Sequence, residues 1–308
     1  MGRRVRFVPE GSLLEVTCRT VQSRFLLRPS PNLNRIILGI LGRAQRRYGL
    51  RIHAFVFMSN HYHLLVSPTS ARQLAAFMAY LNANLAKEAA RIHDWAHHLW
   101  SRRYHFLEVS PEEEAHVGRL RYILAHGCKE GLVDTPGEWP GVQCVAAFLE
   151  GEPLAGMWFD RTLEYEARRK GIALGPLDFA TPETVRLEPL PCWAHLPAQV
   201  YRQHIADIVR QIVEESARAR RRSSLRSMGR DAILRQNPHA QPLQAKRGPS
   251  PTCHAASKKW RRRLRESYAL FLAAYRRASE RLRAGDLTAR FPPGCFPPPL
   301  PFVPTGTG

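Results

Sequence analysis

The 308-residue chain contains no run of eighteen consecutive apolar residues, which excludes an ordinary transmembrane helix. It also lacks a secretory h-region. Glu10 and Glu15 interrupt the stretch that follows the basic start, so export is not signalled and a cytoplasmic location is expected. Its six cysteines (Cys18, Cys128, Cys144, Cys192, Cys253 and Cys295) include no CxxC pair, which leaves little from which to build a zinc finger or an iron–sulfur cluster and fits reduced cytosolic thiols. There is no Walker-type glycine-rich loop and no HExxH, which argues against an ATPase or a zincin. Internal repeats are absent. Acidic residues are scarce: 26 Asp and Glu face 46 Lys and Arg, leaving +20 and a pI near 10.6. Such a charge implies an anionic partner, nucleic acid first, with an acidic membrane surface or a polyanionic protein behind it. With 44% hydrophobic and 23% charged residues, wholesale disorder is excluded.

The first 150 residues alternate strand and helix signals. Residues 13–20 read as a strand. Leu33, Ile36, Ile37, Ile40, Leu41, Ala44 and Tyr48 recur at helical spacing until Gly49. Residues 51–58 and 61–66 read as two strands around a Ser59-Asn60 turn. A second helix carries Leu74, Phe77, Met78, Leu81, Leu85 and Ile92; residues 106–109 read as a strand. A third helix is expected from 112 to 128, with Ser110 as cap, Pro111 at its first position and Glu113 as capping-box partner. The order strand, helix, strand, strand, helix, strand, helix predicts an α+β fold: a ferredoxin-like sheet with helices on one face and an added helix.

Beyond residue 150 the texture changes. Residues 151–197 read as a proline-containing connection, with five prolines between 176 and 197. Residues 198–286 read as a basic, mainly helical extension, with helices over 200–222 and 258–283, and residues 287–308 as a proline-rich tail. The net charge is +7 over residues 1–150 and +13 over 151–308, and residues 211–265 hold 15 basic against 3 acidic side chains. That stretch can grip a phosphate backbone; the bland reading is the solvated face of two amphipathic helices.

Two segments carry candidate chemistry. In FVFMSNHYHLLVSP (55–68), His61 and His63 stand two apart on a strand, so their imidazoles share a face while Tyr62 points away. Two such histidines and a third donor can hold a divalent metal, although for an HxH pair taken alone a non-ligand histidine pair is the better reading. In the helix after Glu112, Val117, Leu120, Ile123 and Leu124 form one stripe, with Arg119, Tyr122 and His126 on the opposite side. Tyr122 and His126 are one turn apart. A tyrosine hydroxyl beside a metal and basic groups can attack a phosphodiester; the bland reading is a packing or surface tyrosine.

Together with their flanks these segments resemble the REP-associated tyrosine transposases, a branch of the HUH single-strand DNA transposases, over about residues 5–150. The resemblance rests on Met58-Ser59-Asn60-His61-Tyr62-His63-Leu64-Leu65, on Tyr122-Ile123-Leu124-Ala125-His126-Gly127, and on Gly131-Leu132-Val133 with Trp139-Pro140. It implies an HUH-type nuclease core in residues 1–150, with Tyr122 as nucleophile and His61, His63 and His126 as metal ligands. The reaction implied is metal-assisted cleavage and rejoining of single-stranded or hairpin DNA through a 5′-phosphotyrosine intermediate, with no energy cofactor and no membrane partner. The family commonly has an amide side chain where this chain has His126, and the NP pair of its YIxxNP stretch is missing. The metal implied is Mg²⁺ or Mn²⁺, and a third imidazole favours Mn²⁺.

Other residues are expected to assist or to be incidental. Arg3, Arg4 and Arg6 can contact DNA or simply open the chain, and Arg102 and Arg103 can hold phosphate. His97 and His98 beside Trp95 and Trp100 can stack a base or close the core. His105 and His116 are expected to be structural or solvent-facing. Two alternatives stay open: a domesticated hairpin-binding protein without turnover, and a metal-dependent nuclease that uses activated water. Monomer and homodimer are both open.

Overall fold

The computed structural model describes residues 4–242 and 251–298. Arg3, residues 243–250 of the basic stretch and the tail from 299 lie outside the described residues.

Strand β1 (Leu13–Arg19) leads to helix α1 (Pro31–Tyr48). Ser30 caps α1 by accepting the Leu33 N–H at 3.2 Å, and Pro31 occupies the first position, where its missing N–H costs nothing. Gly49 ends the helix at φ 64°, a left-handed conformation that suits glycine. Strands β2 (Arg51–Met58) and β3 (His61–Ser67) follow around the Ser59-Asn60 turn, then α2 (Ala71–His93), capped by Ser70. Next come β4 (His105–Val109), α3 (Glu113–Leu124), α4 (His126–Lys129) and α5 (Val145–Leu149). The second half contributes β5 (Leu154–Phe159), α6 (Arg161–Arg169), β6 (Ala180–Val185), α7 (Ala198–Ser223), α8 (Arg230–Leu234), β7 (Cys253–His254) and α9 (Lys258–Arg283).

The main sheet runs β2-β3-β1-β4-β7, with the first four strands antiparallel and β7 parallel to β4. The β-α-β-β-α-β order with β1 inside the sheet is the ferredoxin-like arrangement expected from sequence. Tyr62 sends its hydroxyl to the Asn82 side chain of α2 at 2.6 Å, which places α2 on the face opposite His61 and His63, and α1 packs beside α2. The added helix α3 covers the other face. Both faces are therefore closed, and β2 and β3 are buried almost throughout rather than alternately.

Three local expectations need correction. Ser110 does not cap α3. Its hydroxyl donates to Glu112 at 2.6 Å, and the Glu112 carboxylate accepts the Ala256 and Ser257 N–H groups ahead of α9. A long-range partner has outcompeted the local capping box. The single helix expected over 112–128 is divided at Ala125 (φ −78°, ψ −4°) into α3 and α4. Residues 151–197, read as connection, contain a second sheet, in which β5 and β6 pair antiparallel and lie on α1.

That contact depends on two glycines meeting backbone to backbone. A Cβ on Gly39 would stand 2.1 Å from the Met157 carbonyl carbon and oxygen, and one on Gly156 would stand 2.3 Å from the Arg35 carbonyl oxygen and the Gly39 nitrogen. Beside them the buried carboxylate of Glu183 accepts from Arg43 at 2.9 Å and Arg46 at 2.7 Å. The extension is likewise packed on the first half: α7 buries Tyr201, Ile205, Ile208 and Ile212, and Phe271 of α9 stacks on Phe7 at 4.2 Å. Because backbone cannot yield as a side chain can, Gly39→Ala is expected to lower unfolding free energy by about 3 kcal/mol. A urea midpoint equal to the wild type's would refute the close approach.

Candidate active site

The pleat of β1 and β3 sets the site. Register pairs Glu15 with Leu65, Thr17 with His63 and Arg19 with His61, so these residues share one face of the sheet. His126 arrives from the other side, at the α3–α4 break. The break carries its own hydrogen bonds: Ala125 N–H donates to the Arg121 carbonyl at 2.8 Å, and Lys129 N–H to the Ala125 carbonyl at 2.8 Å. Gly127 lets the turn sit close, since a Cβ there would stand 2.9 Å from a Val133 methyl. The three imidazoles converge, with ring centroids 5.1 Å apart for His61 and His63, 4.9 Å for His61 and His126, and 4.6 Å for His63 and His126. One ligand nitrogen from each lies within 4.8 Å of the others.

Two of the rings are oriented by their outer nitrogens. His61 Nδ1 lies 2.6 Å from Asn60 Oδ1 and His63 Nδ1 lies 2.7 Å from Glu15 Oε1, so donation there leaves both Nε2 lone pairs facing the centre. Nε2 of His126 stands 2.9 Å from Nε2 of His61, while its buried Nδ1 has no partner among the described residues. Burial, then His63 and the cations Lys129, Arg19 and Arg119, push the His126 pKa down to about 2. Its imidazole is therefore neutral, as a ligand must be. Three inward nitrogen donors fit a divalent transition ion better than Mg²⁺, which prefers oxygen.

Glu15 is 1% exposed and carries the electrostatics of the site. Burial pushes its pKa up, but the His63 hydrogen bond and the Arg119 ion pair outweigh that and hold the carboxyl below its ordinary range. Arg119 lies with its guanidinium carbon 4.2 Å from the centre of the Tyr122 ring, and Lys129 Nζ lies 4.6 Å from it. The half-buried Tyr122 ring is 5.5 Å from His63 and 5.3 Å from His126. Burial, reinforced by the charge on Glu15 and opposed by Arg119, raises its phenol pKa. The phenol is thus protonated at rest, with two cations held against its ring.

These groups open into a cleft of about 570 Å³ whose walls include Arg19, Arg102, Arg103 and His105. The extension contributes Met228 and Gln236, and Gln236 Oε1 accepts the Ser59 hydroxyl at 2.6 Å. Arg28 donates to the Leu234 carbonyl at 3.0 Å and to that of Gln236 at 3.2 Å, fixing this strap beside the turn that precedes His61.

The structure thus gathers His61, His63, His126, Tyr122 and Arg119, and sets Arg102 and Arg103 on the cleft wall. Arg4 and Arg6 lie outside the cleft, against Tyr268 and Tyr104. The tryptophan–histidine cluster does not form one platform: Trp100 packs edge-on to Tyr62 and donates to the Asn82 carbonyl, whereas Trp95 meets His97 and His239. His116 is buried away from the triad, and His105 lies on the cleft wall. Sequence reading missed Glu15, Asn60 and Lys129. Glu15 had a signal, a lone carboxylate amid apolar residues in LLEVTCR, which demands a buried partner.

No curated protein matches the sequence. Among solved structures, a REP-associated tyrosine transposase bound to a REP hairpin is similar at 15% identity and a TM-score of 0.40, over 47% of this chain and 82% of that one. A transposase candidate from Deinococcus radiodurans R1 is similar at 19% identity and a TM-score of 0.28, over 40% of this chain and 95% of that one. Among the described residues no helix is long and apolar enough to cross a membrane. Residues 21–125, which hold His61, His63 and Tyr122 and stop one short of His126, match the family model of IS200-like transposases, and this match supports a transposase-type, DNA-processing function.

Proposed function

We propose that this chain cleaves and rejoins single-stranded DNA, at sites that bear a hairpin, through a covalent link to Tyr122. The observation that carries the reading is the convergence of three neutral-capable imidazoles with a tyrosine clasped by Arg119 and Lys129. His61, His63 and His126 would hold a divalent ion, Mn²⁺ in preference to Mg²⁺. When bound, that ion would offset charge on the oxygens of the scissile phosphate.

The chain's own residues do the rest. Arg102 and Arg103 on the cleft wall attract and align the phosphate backbone. As the phenolic proton passes to solvent water, which later returns one to the departing 3′-oxygen, Arg119 and Lys129 against the ring stabilise the phenolate. The Tyr122 oxygen then bonds to phosphorus while the bond from phosphorus to the 3′-oxygen breaks. The departing oxygen takes a proton and becomes a free 3′-OH, and the 5′ end remains as phosphotyrosine. Attack by a 3′-OH on that link reverses the step, restores the phenol and joins a strand, so no external energy source is needed.

Tyr122→Phe removes only the hydroxyl. A labelled single-stranded hairpin oligonucleotide should still bind, with adduct and cleavage lost together on a denaturing gel. Cleavage that persists without an adduct would assign the reaction to activated water, and binding without cleavage by the wild type would leave a DNA-binding protein only.

The donor set makes a second prediction. Mn²⁺ should support adduct formation at lower concentration than Mg²⁺; equal activity at equal low concentrations would remove His126 from the ligands. Glu15→Gln should weaken Mn²⁺ binding about ten- to a hundredfold by calorimetry, because the amide orients His63 less firmly.

Residues 198–286 add backbone grip in this reading. Arg220 is held by Asp134 at 3.1 Å and Arg121 of α3 by Glu215, but Arg221 and Arg222 are exposed at the end of α7. Changing both to alanine should reduce the slope of log binding constant against log salt by about 1.4, at roughly 0.7 per phosphate contact on a single strand. An unchanged slope assigns that end of α7 to packing or to a protein partner.

A further inference from the structure

A second cleft, of about 590 Å³, lies on the opposite side of β4 and meets the tyrosine cleft along Ser101, Arg102, Arg103 and His105. Strand alternation explains its position. His105 and Leu107 pair with Thr17 and Glu15 on the triad face, so Phe106 and Glu108 turn to the other. There the N-terminal segment, β7 and α9 close over them, and no part of this cover falls within the residues that match the transposase family.

The lining joins three chemistries. Five arginines border it: Arg4, Arg6, Arg102, Arg103 and Arg265. Aromatic walls stand behind them, organised by the same cations. Arg6 lies 3.8 Å from the Tyr104 ring centre and donates to the Tyr104 carbonyl at 2.9 Å. Arg4 lies 4.1 Å from the Tyr268 ring, whose hydroxyl donates to the Val5 carbonyl at 3.0 Å. Phe106 completes the apolar surface. The third element is Glu108, whose carboxylate has no hydrogen bond or ion pair among the described residues. Burial pushes its pKa up to about 7 even against Arg4.

A site for a bare anion has no use for Glu108, whose carboxylate repels the ligand whenever it is ionised. An apolar ligand has no use for five arginines. A ligand that is anionic at one end, flat in the middle and rich in N–H donors at the other satisfies all three. We propose that this cleft binds a nucleotide of single-stranded DNA whose base is guanine, packed against Phe106 and the guanidinium-covered rings of Tyr104 and Tyr268, with its N1–H and N2–H donated to Glu108 and its phosphate held by the arginine rim. Guanine alone among the four bases offers two adjacent donors to a two-oxygen acceptor. The shared rim at Ser101–His105 lets one strand occupy both clefts. The inference therefore deepens the reading of the tyrosine site and rests on it for the identity of the strand.

The test is calorimetric titration of the full chain, without metal, with dGMP, dAMP, dCMP, dTMP and inorganic phosphate. dGMP should bind about tenfold more tightly than dTMP, as one bidentate base contact gives. In Glu108→Gln, whose amide presents one donor in place of one acceptor, the preference should fall to about threefold or less. Arg265→Ala, an exposed change on α9, should weaken all four nucleotides alike. A guanine-containing tetranucleotide should displace dGMP where an all-thymine one does not, which ties the site to a strand rather than to free nucleotide. Equal binding of the four bases, phosphate binding as tight as dGMP, or an undiminished preference in Glu108→Gln overturns the proposal. Adduct formation at Tyr122 without nucleotide binding overturns this pocket and leaves the tyrosine chemistry standing. Guanine-selective binding without any adduct supports the pocket and removes that chemistry.

Discussion

The candidate site depends on one buried carboxylate. Glu15 sits in the central strand at 1% exposure, and an unpaired charge there would cost several kcal/mol. Its two oxygens are committed to His63 on the neighbouring strand and Arg119 on α3. This single group therefore ties β1, β3 and α3 together. It also fixes which nitrogen of His63 faces inward, and it holds Arg119 over the Tyr122 ring. Sheet register, helix docking and the positioning of the tyrosine are one electrostatic constraint seen from three sides.

The second half of the chain belongs to the same physical object. The β5–β6 sheet meets α1 backbone to backbone, α7 buries an isoleucine stripe, and the start of α9 is received by Glu112. Residues 228–236 then form part of the wall of the tyrosine cleft, and α9 with β7 helps to enclose its neighbour. The cleft at the three histidines is therefore walled jointly by core and extension.

Much of this was legible in the residues. The 3.6 period of Leu33 to Tyr48, the Ser30 and Gly49 punctuation and the two-residue alternation through His61 and His63 are local properties of the chain, and local geometry obeyed them. The ends of α7 and α9 were likewise close to their apolar periodicity. The failures share a cause. Ser110 was expected to cap α3 because its neighbours allow it, yet Glu112 serves a segment more than 140 residues away. The β5–β6 sheet was invisible because a glycine and a proline weaken its strand pattern, and the sheet lies against α1.

By itself, then, the sequence determined which side chains share a strand face or a helix turn, because backbone geometry repeats every two or 3.6 residues. It placed His61 with His63, opposed them to Tyr62, and set Tyr122 one turn from His126. Only the tertiary structure decided that these two pairs meet, that Glu15 and Asn60 turn two of the imidazoles inward, and that Glu108 sits half-buried beneath an arginine rim. Those outcomes depend on distances between residues far apart in the chain. Such distances follow from packing of whole elements, and no local period encodes them.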